Sequence, residues 1–231
     1  MATPKTAFRK GFIDGAPFAL IVMPFATLFG AIGTEAGLSI AQVMGFSVMV
    51  IAGAAQLTAV QLMVDQAPTF IVLLTSLAVN LRMAMYSASL QPYLGAAPLW
   101  QRGLLAYMLV DQAYTISVVH YENNPDMTST ERVVYFVGVV IPILPVWYGF
   151  TLLGALVGQA IPDGYGIDFA VPIAFLALIA PAMRTVAHIA AAAVAVVLGL
   201  ALAWMPYSTG LLFAALAAMA TGAEIERRYL A

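Results

Sequence analysis

Pro68-Thr69-Phe70-Ile71-Val72-Leu73-Leu74-Thr75-Ser76-Leu77-Ala78-Val79-Asn80-Leu81-Arg82-Met83-Ala84-Met85-Tyr86-Ser87-Ala88-Ser89-Leu90 decides the fold. A helix needs about 20 predominantly apolar residues to cross the hydrocarbon of a bilayer, and this run is long and apolar enough. Asn80 and Arg82 then fall near its middle. A guanidinium at that depth costs at least ~2.5–3.5 kcal/mol on insertion scales, so it requires water, a partner or both. This helix is therefore expected to face the interior of a helix bundle.

Composition extends the reading to the whole chain. Of 231 residues, 63% are hydrophobic and 9% are charged, against about 25% charged in soluble domains. Too little polar surface exists to cover a water-soluble globule, and an all-α polytopic membrane protein in a single transmembrane domain (1–231) is expected. The formal net charge of −2 offers nothing to a polyanion, so no nucleic-acid partner is expected. There is no cysteine, which excludes disulfides, and the two histidines, His120 and His188, lie far apart in sequence. No metal or other cofactor is expected on those grounds. No phosphate-binding Gly-x-x-x-x-Gly-Lys-Ser/Thr loop and no nucleophile–base pair can be assembled, so the chain does not read as an enzyme. The basic start, Met1 to Lys10, resembles a signal n-region, but the apolar run behind it continues to about Gly33, too long for a signal peptide.

Eight hydrophobic segments can be drawn: 12–33, 41–64, 70–91, 101–120, 132–158, 169–184, 186–204 and 208–224. The sixth is short, so six to eight spans fit. With the N-terminus cytoplasmic and all eight crossing, Lys5, Arg9, Lys10, Arg132, Arg184, Arg227 and Arg228 share the cytoplasmic side, and only Arg102 lies outside. That distribution satisfies the positive-inside rule and places both termini in the cytoplasm. The loop 121–130 then divides two halves, 11–120 and 131–225. The halves show weak self-similarity, since Pro24 is followed by Gly30 and Gly33, and Pro145 by Gly149 and Gly154. Interrupted helices at corresponding places in two halves point to a transport site, so Pro24 and Pro145 are expected helix breaks.

Three further stretches carry polar chemistry at mid-depth. In Ile51-Ala52-Gly53-Ala54-Ala55-Gln56-Leu57, Gly53 permits close backbone approach and Gln56 can hydrogen-bond across it. The stretch reads either as a packing seam or as a patch offering backbone groups to a ligand. Asn80 and Arg82, two apart, cannot share a helix face unless the helix breaks between its halves. In segment 101–120, Asp111 is the acidic residue at mid-depth. It serves either as a permanent counter-ion of Arg82 or as a group that carries a proton. Asp14, Asp65 and Glu224 read as solvated residues near helix ends, and His188 as a structural histidine.

Taken together these residues resemble the AzlC-type permease subunit of branched-chain amino-acid exporters. The likeness rests on Gly15-Ala16-Pro17, Pro24 to Phe29-Gly30, Gly37-Leu38-Ser39, Ala52-Gly53-Ala54-Ala55-Gln56 and Val79-Asn80-Leu81-Arg82 with Tyr86-Ser87. In the second half it continues through Asp111, Gly154-Ala155 and Gly166-Ile167-Asp168-Phe169-Ala170-Val171-Pro172-Ile173-Ala174-Phe175. It runs from about Gly11 to Met183. The resemblance implies a proton-motive-force-driven exporter of leucine, isoleucine, valine and related amino acids in a bacterial inner membrane. It implies a small AzlD-type membrane subunit as partner, and an oligomer is compatible with it. Two departures stand out. Met83 occupies a place where the family often has His, and Gln112 one where it often has Glu. On this reading Gly53, Gln56, Asn80, Arg82 and Asp111 line the substrate site, with Arg82 on the α-carboxylate and Asp111 on the ammonium or a proton. The rivals are a scaffold subunit, in which Arg82 and Asp111 form a locked pair, and a channel-like path for a small solute.

Overall fold

The computed structural model describes residues 3–158, 183, 185–206 and 209–230. The sixth segment (169–184) apart from Met183, the preceding loop, and the Gly166–Phe175 stretch therefore lie outside the described residues. Among the described residues all regular elements are helical and none is a strand. They are α1 (Pro4–Glu35), α2 (Ile40–Met49), α3 (Gly53–Val64), α4 (Thr69–Val79), α5 (Leu81–Leu94), α6 (Leu99–Tyr107), α7 (Asp111–Asn123), α8 (Ser129–Val140), α9 (Ile143–Gly158), α10 (Val186–Ala201) and α11 (Gly210–Leu230). Among the described residues three stretches are long and apolar enough to cross a membrane: Pro4–Glu35, Thr69–Leu94 and Ser129–Gly158. The burial pattern inverts that of a soluble protein. Leu20, Phe70, Leu77, Met85 and Leu200 point outward, while Ser47, Gln56 and Thr151 are wholly enclosed. An apolar exterior over a partly polar interior is the arrangement that lipid demands.

The chain divides into two units, 1–57 with 79–163, and 58–78 with 164–231. In the first, α1 runs parallel to α8 and α9 along a seam of small residues. Gly11 lies on Tyr135, Gly15 on Val139, Gly30 on Thr151 and Gly154 on Thr27, in each case against the backbone carbonyl. A Cβ at any of the four would collide with that oxygen. Small residues allow this approach where no hydrophobic effect drives helices together. The parallel arrangement gathers Lys5, Arg9, Lys10 and Arg132 at one end of the pair. A capping box starts each helix there, Thr3 with Thr6 for α1 and Thr128 with Glu131 for α8. In the second unit, α10 and α11 pack as an antiparallel hairpin, with Gly210 against Leu202 near the turn and Gly222 against Ala191 further along.

The helix interruptions differ from those expected of the prolines. α1 runs unbroken through Pro17 and Pro24. One missing N–H costs a single backbone bond, and a helix held along its length by a packed neighbour continues through it. Pro145 lies in the first turn of α9, where a backbone N–H has no intrahelical acceptor in any case. The interruption in that segment is Ile141-Pro142 instead. Three further segments each divide into two short helices, at Val50-Ile51-Ala52, at Asn80 and at Met108-Leu109-Val110.

Candidate functional site

Two of these interruptions bring the mid-depth charges together. Asn80 is the residue between α4 and α5, with φ −90° and ψ 1°, and it resets the helix so that Arg82 occupies the first turn of α5. The backbone of Val110 is extended (φ −129°, ψ 159°), which starts α7 at Asp111. A carboxylate in the first turn of a helix is stabilised by the exposed N–H groups and the positive end of the dipole. Arg82 Nη1 lies 2.9 Å from Asp111 Oδ2. Along the same pair of helices, Tyr86 stacks on Tyr114 with ring centroids 4.1 Å apart, and Tyr114 donates to Ser89 Oγ at 3.1 Å.

The pair uses only part of its bonding capacity. Arg82 Nε, Asp111 Oδ1 and Asn80 Oδ1 are all screened from solvent and have no hydrogen-bond partner. A bidentate guanidinium–carboxylate contact would engage both carboxylate oxygens, whereas this one is single-armed. Unpartnered polar atoms screened from solvent are costly, and three of them gather at these two breaks.

A third interruption is tied to the second. Tyr107, the last residue of α6, donates its hydroxyl to the Val48 carbonyl at 2.8 Å and lies 3.0 Å from the Tyr148 hydroxyl. It thereby couples the end of α2 to the end of α6 and to α9. Ile51, within the first of these breaks, packs on the same apolar cluster as Met108, Leu109, Val110, Met83 and Tyr86. Tyr107→Phe removes both contacts at little change in volume. It is expected to lower stability by about 0.5–1.5 kcal/mol and to increase hydrogen exchange at residues 48–52 and 107–110, as read by mass spectrometry of the protein in nanodiscs.

Gly53 and Gln56 stand in the first turn of α3. A Cβ at Gly53 would come within 3.1 Å of the Trp147 ring and 3.5 Å of Phe25. Gln56 is fully enclosed, and neither amide atom has a partner. Trp147 is buried against this glycine, and its Nε1 is also unpartnered. A partly open cavity of about 110 Å³ lies along α5, α6 and α8, walled by Leu90, Leu94, Leu105, Leu109 and Phe136, with Ser87 and Arg102 among its polar edges. Leu109 and Ser87 place it close in sequence to the charged pair.

The sequence did not disclose the Met108–Val110 break or the Tyr107 contact, because hydropathy runs smoothly through both. It also missed Asp14. Rather than being solvated at a helix end, Asp14 accepts a hydrogen bond of 2.7 Å from the buried Tyr135 and pairs with Lys10 at 2.6 Å. His188 sits in the first turn of α10, where its backbone N–H donates to Thr185 Oγ1 at 3.2 Å.

A family model described as AzlC protein matches residues 17–161. The chain belongs to the AzlC family. The match takes in every element that builds the Arg82–Asp111 site. Over 181 residues this AzlC-family chain is 28% identical to an uncharacterized membrane protein of Archaeoglobus fulgidus, covering 77% of this chain and 76% of the relative. Over 184 residues it is 23% identical to the inner membrane protein YgaZ of Escherichia coli K12, covering 77% and 74%. No solved structure matches. The chain is thus an AzlC-family membrane protein built of helices.

Proposed function

We propose that the protein is a secondary exporter of branched-chain and related hydrophobic amino acids across the inner membrane. It is driven by the proton motive force and works with a small AzlD-type membrane subunit. The observation that carries the reading is the single-armed Arg82–Asp111 pair at two helix interruptions, with Arg82 Nε, Asp111 Oδ1 and Asn80 Oδ1 unspent. A zwitterionic amino acid offers the two groups this arrangement lacks. Its carboxylate completes the guanidinium, and its ammonium, or a proton, takes the second carboxylate oxygen. Broken helices deep in a membrane are the usual framework for such a site. The cavity beside α5 suits the side chain. At about 110 Å³ and walled largely by leucines, it matches a short branched aliphatic group.

The direct test is counterflow of labelled leucine in proteoliposomes, with and without the small subunit. Protein-dependent accumulation of leucine, isoleucine or valine is expected. Rates equal to those of empty vesicles for all three and for methionine, with the subunit present, would refute it. Ala106→Leu, which adds three carbons at the cavity wall, tests the specificity. Even one methylene in such a pocket is worth about 1–3 kcal/mol, so leucine flux should fall at least roughly tenfold relative to alanine flux. A ratio within about twofold of wild type would remove the cavity from the account.

A further inference from the structure

Away from the Arg82–Asp111 pair, a second group of titratable side chains spans three helices. Asp14 of α1 accepts the Tyr135 hydroxyl of α8 at 2.7 Å. The imidazole of His120, near the end of α7, lies flat on the Tyr135 ring, with centroids 3.9 Å apart and planes at 6°. These three residues border an open cavity of about 300 Å³ that Thr115, Ile116, Val119 and Asn123 also line. The other charged or titratable groups facing them are Lys10 of α1, 2.6 Å from Asp14, and Tyr121 of α7, edge-on to both His120 and Tyr135. From α5, Tyr93 packs behind Tyr121.

We propose that Asp14, Tyr135 and His120 form a proton-binding station, separate from the Arg82–Asp111 pair, whose occupancy is read by α7. The proton adds to the free ring nitrogen of His120, and Asp14 remains a carboxylate holding the Tyr135 O–H. The Lys10–Asp14–His120 group thereby passes from zero net charge to +1. Histidine is the side chain suited to this change near neutral pH. The imidazolium is opposed by the partial burial of the ring and by Lys10, and favoured by the nearby Asp14 carboxylate and the face of Tyr135. The open cavity gives water access to the ring. α7 supplies the link to the other site, because His120 and Asp111 lie on one helix, about 13 Å apart along its axis at 1.5 Å per residue. Between them Thr115 lines the cavity and donates to the Asp111 carbonyl at 3.0 Å. Protonation draws the end of α7 toward α1, and release frees it.

The test has two arms, and only the second rests on the transport reading. In the first, the His120 ring is titrated by NMR in nanodiscs in a His188→Gln background. One titration between about pH 5 and 8 is expected, with proton affinity falling about threefold or more in Asp14→Asn. Tyr135→Phe keeps the stacking ring and loses the hydroxyl, so it should alter the midpoint while leaving His120 able to titrate. No titration in that range, or an affinity unchanged within about 1.5-fold in Asp14→Asn, overturns the proposal. In the second arm, Asp14→Asn and His120→Gln are each expected to cut proton-gradient-driven leucine flux at least about tenfold, while leucine exchange at equal pH stays within about twofold. Equal loss of both modes overturns the coupling role. Absence of any flux in the wild type, with the first arm positive, would count against the transport reading alone.

Discussion

Gly15→Val should prevent α1 from docking on α8. The Gly15 position faces the Val139 backbone so closely that any Cβ overlaps the carbonyl oxygen, and Val139 C and Cα stand only 2.9 Å away. Backbone cannot rotate aside as a side chain can. The helices must separate, and the seam at Gly11 and Gly30 would separate with them. Overpacking of a flexible site costs about 1–3 kcal/mol, and a backbone clash across one of the two most extensive helix contacts in the first unit belongs at or above the upper end. At about 2–4 °C per kcal/mol for a chain of this size, the melting temperature in detergent should fall by roughly 6–12 °C, or the variant should fail to elute as a single species. Gly149→Ala is the control. It lies in α9, where an added Cβ would meet nothing within 4 Å, so it should be neutral or gain up to about 0.5–1 kcal/mol. A Gly15→Val protein that melts within about 2 °C of wild type would show that α1 and α8 are not packed as described.

The seam and the charged pair were legible in the sequence to different degrees. Spanning segments could be read directly, because burying the N–H and C=O groups of a 20-residue apolar run leaves lipid little choice but helix. A break near Asn80 was readable only as a condition, since residues two apart cannot both turn inward on an intact helix, and α5 does begin directly after Asn80. The break at Met108–Val110 was not. Met, Leu and Val are as compatible with helix as the residues around them, and tertiary contacts such as Tyr107 on Val48 fix the point of interruption. The prolines misled for a related reason. Pro24 removes a donor whose loss α1 tolerates, and Pro145 occupies a turn where the donor is redundant. Asp14 read as solvated because its partner, Tyr135, lies 121 residues away.

Exchanging the two charges, Arg82→Asp with Asp111→Arg, separates the substrate-binding role from a purely structural one. Each single change sets two like charges side by side, about two-thirds enclosed by protein, since the side chains of the pair are 35% and 38% exposed. The cost should lie between the surface and buried limits for ion pairs, about 1–3 kcal/mol. The double variant restores opposite charges at the same spacing and should recover much of that stability. Transport should not recover with it. The proposed site needs a planar cation at the start of α5 for a carboxylate and an anion at the start of α7, where the helix dipole favours it; the exchange reverses both. A charge-assisted hydrogen bond is worth about 1.5–3 kcal/mol, so Arg82→Ala alone should lower leucine flux by about 10- to 150-fold. Arg82→Lys should fall short of wild type as well, because an ammonium cannot reproduce the forked geometry. If the double variant regains both stability and flux, the pair is a brace inside a scaffold, and the solute passes elsewhere.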